Sequence, residues 1–169
     1  MRAFFLIGLL TISGLVSVRA QTREETEQYL YDHITHQPSC VWRGGVGIPD
    51  SASCWKYSVA GIIGSDPSNK DSGIEIWWER ENYRGPSNDP SSLMGVRNGF
   101  WKIIYSNIRP SDTTVEAVQG TVEPFWRLVV PFAQKTADIF FESEEHARRV
   151  AKALRHVALL SGAKEDPFR

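Results

Sequence analysis

The sequence predicts an α+β domain: an N-terminal helix, an antiparallel barrel or sandwich of six to seven short strands, and a C-terminal amphipathic capping helix. Three observations predict it. "TREETEQYLYDHI" shows helical spacing behind a capping box. Short segments rich in Trp, Ile, Val and Tyr then alternate with Gly, Pro, Asn, Asp and Ser clusters. The chain closes on "SEEHARRVAKALRHVALLSG", which carries one unbroken apolar stripe.

The elements follow in order. Residues 1–20, "MRAFFLIGLLTISGLVSVRA", place Arg2 before an apolar run and end on Val18-Arg19-Ala20, the small-residue pattern of a cleaved secretory signal. The alternative is an uncleaved anchor, but Ser13 and Gly14 interrupt a run shorter than the roughly 20 apolar residues a spanning helix needs. Cleavage after Ala20 leaves a secreted or periplasmic domain of 149 residues, enough for its own core. That domain carries 17 basic against 20 acidic residues, a net charge of −3, so no global attraction for nucleic acid is expected. Membrane attachment is expected only with an uncleaved signal.

The N-terminal helix falls in residues 21–38. Thr22 and Glu25 form the capping box, Thr26, Tyr29, Leu30 and His33 recur at helical spacing beside Ile34, and the helix runs from Arg23 to His36 until Pro38 stops it. Residues 39–162 form the β-domain with its helix. Cys40 and Cys54 are the two cysteines, and an even pair in an exported chain favours a disulfide over two free thiols. The Gly, Pro, Asp and Ser between them read as a loop, on which Trp42 is expected to pack against the bridge.

"CWKYSVAGII" then puts Trp55, Tyr57 and Val59 on one strand face, and "SDPSNKDSG" turns the chain into "IEIWWERE". "NYRGPSNDPSS" reads as a long polar loop and "GFWKIIYSNI" as a strand with Trp101, Ile103 and Tyr105 on one face. "TTVEAVQG" is a further strand. "FWRLVVPF" and "TADIFFES" form a hairpin, with Pro131 marking an edge or bulge. In the last helix Ser143 is the N-cap, Ala147, Val150, Ala151, Leu154, Val157 and Ala158 make the stripe, and Gly162 provides the stop. Residues 163–169 are a flexible tail.

The segment "WRLVVPFAQKTADIFFESEEHARRVAKALRHVALLSG", about residues 125–162, resembles the end of a pleckstrin-homology-like (PH-like) domain: two last strands, then a capping helix. With the signal and first helix ahead of it, the chain resembles small exported bacterial proteins. Two departures matter. The capping helix lacks the tryptophan many such helices carry. The basic first hairpin of the lipid-binding members is also missing, since Trp55 to Arg80 offers Lys56, Lys70 and Arg80 against Asp66, Asp71, Glu75 and Glu79. Phosphoinositide binding is therefore not expected, and a fold of this kind does not by itself give a function.

Catalytic and metal motifs are few. His33 and His36 lie three apart on the first helix but have no committed third ligand, so no metal is expected. "RGGVG" at Arg43 to Gly47 lacks the Lys-Ser/Thr of a phosphate loop. Glu75 and Glu79 share a strand face about 13 Å apart, too far for a glycosidase pair. No catalytic residue and no cofactor is assigned.

Among six tryptophans, Trp55, Trp78, Trp101 and Trp126 fall on apolar faces and read as core. Trp77 shares its face with Glu75 and Glu79, opposite Lys56 or Lys102. It is either cover beneath the first helix or cysteine loop, the preferred reading for a large aromatic, or an exposed contact. The candidate binding residues are therefore Trp77, Glu75, Glu79 and Trp42. The expected function is an exported non-catalytic domain recognising a protein or cell-envelope partner. The alternatives are a carrier of a small apolar ligand in a Trp-lined cavity and an exported hydrolase without a recognisable motif.

Overall fold

A computed structural model describes residues 22–45, 48–64, 71–85 and 90–164. The expected export signal of residues 1–20, residues 65–70 of the expected polar turn, residues 86–89 and tail residues 165–169 lie outside the described residues. The fold is α+β, with seven strands in two antiparallel sheets and two helices among the described residues. The barrel alternative is not met, because the sheets are separate, with orders β1-β2-β3-β4 and β5-β6-β7.

Helix α1 (Arg23–Ile34) opens on the expected capping box. The Glu25 N–H donates to the Thr22 hydroxyl at 3.2 Å and the Thr22 N–H donates to Glu25 Oε2 at 2.9 Å. It stops two residues before His36, because Thr35 turns extended and the chain at once begins to pair with the second strand. Its buried face holds Leu30 and Ile34 but also Arg23, Thr26 and Glu27. Arg23 Nε donates to Glu27 Oε1 at 3.0 Å in an ion pair whose side chains are 6% and 4% exposed.

The cysteine segment corrects the expected loop. Strands β1 (His36–Gly45) and β2 (Ile48–Ile63) form a hairpin in which Gly45 already faces Ile48, leaving two connecting residues. Its Gly, Pro and Ser content suggested irregular chain, but cross-strand pairing along the ten residues of β1 overrides that composition. Cys40 and Cys54 are direct cross-strand partners, bonded to each other with Cα atoms 4.0 Å apart. Cys54, Ala52 and Tyr83 form a small cluster with half-buried Cys40 and Trp42, so Trp42 does pack beside the bridge. Since about 15 residues are closed, Cys40→Ser with Cys54→Ser should cost about 3 kcal/mol in the chain-entropy model. Urea unfolding of the double variant beside the parent checks this, and equal midpoints would contradict it.

Strand β3 (Gly73–Arg84) and strand β4 (Leu93–Ile104) are longer than the sequence suggested, because Asn82 and Tyr83 pair with Gly95 and Leu93 inside the expected polar loop. Beyond a buried turn at Tyr105, the second sheet comprises β5 (Thr114–Ala117), β6 (Trp126–Phe132) and β7 (Lys135–Phe141). The β5 ladder ends at Val129 on β6, so Pro131 lies where β5 no longer runs alongside. Its carbonyl instead accepts from the Arg109 N–H at 3.0 Å.

Helix α2 (Glu144–Leu160) buries the predicted stripe, is capped by the Ser143 hydroxyl, and leaves Arg148, Arg149 and Lys152 exposed. Its last turn is followed by Gly162 at φ 83°, a left-handed position suited to glycine. One core joins both sheets and both helices, through Ile74, Ile76, Ile103, Leu128, Ile139 and Leu154 among others. Tyr57 links the sheets directly: its hydroxyl donates to the Asp138 carbonyl at 3.3 Å and accepts from the Phe140 N–H at 3.2 Å.

Candidate functional site

Alternation along β3 gives the four-stranded sheet two different faces. Ile74, Ile76 and Trp78 turn inward toward the core, while Glu75, Trp77 and Glu79 turn outward. The outward face is not covered by α1 or by the cysteine hairpin. Trp77 is 51% exposed, which corrects the preferred reading of it as buried cover. Among the described residues the helix instead packs against α2 and β2, with Leu30 and Ile34 in the core.

Trp77 has a neighbour that sequence reasoning passed over. Phe100 is its direct partner on β4, 59% exposed, with ring centroids 5.3 Å apart. The charged residues flank this pair in register. Lys56 faces Glu79 and bonds Glu79 Oε1 at 3.3 Å and Glu81 Oε1 at 2.8 Å, while Lys102 stands opposite Glu75. The Lys56 ammonium, followed by a 2.7 Å hydrogen bond from the Tyr83 hydroxyl, holds the Glu81 carboxyl below the ordinary carboxylate range. Each glutamate thus stands opposite a lysine, whereas the two aromatic rings have no covering partner among the described residues. Val96, also outward on β4, and Met94 and Leu93 near its start extend the exposed apolar surface.

The fourth candidate, Trp42, does not join this group. It sits on β1, where its carbonyl accepts from the Val122 N–H at 2.9 Å, and through Ala52 it aligns with Tyr83. Tyr83 is six residues from Trp77 along β3, roughly 20 Å at strand rise. Trp42 belongs to the disulfide cluster.

A second feature lies on the inward face, where the sheet runs past β7. Trp78 and Trp101 stack at 5.7 Å, and Trp55 stacks on Phe140 at 4.2 Å. These four rings line an open cleft of about 240 Å³ together with Arg80, Arg97 and Asp138. Arg80 and Arg97 also line an adjoining cleft of about 450 Å³ with Asn82 and Met94. Gly99 gives the Trp78 indole its place. It faces Trp78 across the strands, and a Cβ there would stand 2.8 Å from the indole ring.

Arg80 lies over the Trp55 ring at 4.9 Å and donates to the Ser53 hydroxyl at 3.1 Å, but its buried Nε has no hydrogen-bond partner among the described residues. Burial, then the like charges of Arg43 and Arg97, lower its pKa. Burial likewise pushes the Asp138 carboxyl up, against the pull of Arg127 at 3.9 Å.

His33 is half-buried and stacks on Tyr29 at 4.0 Å, edge-on to His146, while His36 opens β1 rather than continuing the helix. The two histidines therefore do not share a helix face, and no group of three potential metal ligands occurs among the described residues. Among those residues no helix is long and apolar enough to cross a membrane. No protein-family model matches the chain, and no significant match exists among curated proteins or solved structures.

Proposed function

We propose that this protein is an exported, non-catalytic binding domain that recognises a protein or cell-envelope partner through the outer face of β3 and β4. The observation that carries the reading is the Trp77–Phe100 pair, two large rings left half in water on a face whose charges are otherwise matched. Large exposed aromatics held rigidly on a sheet are the residues that anchor interfaces at low entropic cost. The export component is supported by the Cys40–Cys54 bridge, which persists in oxidising compartments. A PH-like arrangement is the fold reading that goes with it, supported by four strands, then three, then one closing helix.

Trp77→Ala with Phe100→Ala should change stability by no more than about 1 kcal/mol, the scale of a cross-strand aromatic pair at an exposed site. A buried tryptophan would cost about 3–5 kcal/mol. Panning a displayed random peptide library on the parent protein, with the double variant as counter-selection, tests recognition. Peptides enriched on the parent and lost on the variant support the reading. Enrichment on both alike, or on neither, contradicts it.

A further inference from the structure

Arg80 and Arg97 are direct cross-strand partners on the inward face. Like charges in that position destabilise a sheet, and an opposite charge at either site would favour it. Neither guanidinium takes part in an ion pair among the described residues, whereas the facing residues Lys56 and Glu79, and Arg127 and Glu116, are ion-paired. Asp138, the carboxylate nearest the cleft, is engaged by Arg127. The excess positive charge sits where the two clefts meet, since both arginines line each of them.

The surroundings of this pair are flat and apolar. Trp78 and Trp101 stack on one side and Trp55 with Phe140 on the other, and Gly99 lets the Trp78 indole lie close against β4. Guanidinium forks match carboxylate and phosphate oxygens, and indole faces match planar rings. A volume of about 240 Å³ suits a single ring rather than a drug-sized body.

We propose that this cleft binds a small organic oxyanion carried on a planar ring, with the anion between Arg80 and Arg97 and the ring against Trp78 and Trp101. The site is on the opposite face of the sheet from Trp77 and stands independently of the partner reading above. The same chemistry occurs in ring carboxylates and ring phosphates, so both belong in the test.

Titration of the protein with benzoate, phenyl phosphate, acetate and benzamide, followed by calorimetry and by the indole N–H resonances, gives the decision. Benzoate or phenyl phosphate should bind saturably and move the Trp78 and Trp101 signals, and whichever binds tighter names the anion. Acetate, lacking the ring, and benzamide, lacking the charge, should each bind about tenfold more weakly or worse. Arg97→Gln, at an exposed position, should weaken binding about tenfold, the scale of one charge-assisted hydrogen bond. Asp138→Asn should strengthen it by roughly a few-fold through loss of a like charge. Benzamide binding as well as benzoate, binding unaffected by Arg97→Gln, or no saturable binding by either ring anion overturns the proposal.

Discussion

Glu27→Ala should lower the unfolding free energy by about 3–5 kcal/mol, the cost of removing one partner from a buried ion pair. Arg23 and Glu27 are 6% and 4% exposed at the start of α1, and Arg23 also lies over the Tyr105 ring at 5.7 Å. Truncating the carboxylate removes the charge that balances a guanidinium buried to 6% exposure. The Arg149–Glu145 pair on α2 has the same spacing but lies in solvent, so Arg149→Ala should cost no more than about 0.5 kcal/mol. Replacing both buried partners, Arg23→Met with Glu27→Leu, should recover most of the loss, because the desolvation cost disappears with the charges. Urea unfolding of the four proteins checks the set. A Glu27→Ala midpoint equal to that of the parent would mean the pair is solvated in solution.

The second large effect is expected at Gly73, the first residue of β3. A Cβ there would fall 2.1 Å from the Ile103 carbonyl oxygen and 2.9 Å from two other backbone atoms of β4. Nothing at that point can rotate away, since the obstruction is main chain from the neighbouring strand. Gly73→Val should therefore prise apart the Gly73–Ile104 end of the ladder and cost about 3–5 kcal/mol, the upper range for overpacking. Gly99→Ala is the informative contrast. Its obstruction is the Trp78 indole, a side chain that can shift, so the loss should be smaller and should register as a change in tryptophan fluorescence. Equal thermal midpoints for Gly73→Val and the parent would contradict the close approach.

Local signals carried the helices. The Thr22–Glu25 box and the Ser143 cap are contacts between residues three apart, and the α2 stripe depends only on helical period. The β1–β2 hairpin was hidden because its evidence is pairwise. The Cys40–Cys54 bond is legible in the sequence as connectivity alone, while the Gly and Pro around it argued for a loop. The site divides the same way. Which face Trp77 shares follows from alternation, but its exposure depends on where α1 packs, and that is set by α2 and the core. Phe100 and the Arg80–Arg97 pair need the β3–β4 register, which no single strand specifies. The period-two recurrence of Trp78 with Arg80, and of Arg97 with Gly99 and Trp101, was the available signal.

The Tyr57 hydroxyl has a consequence for how this chain behaves among copies of itself. β7 is a terminal strand of its sheet, and the Asp138 carbonyl and Phe140 N–H are groups an arriving strand would seek. Tyr57 already engages both, a phenol from the other sheet standing in for a strand. That stretch of β7 is thereby closed to edge-to-edge growth, and Tyr57→Phe would reopen it while leaving the ring in the core.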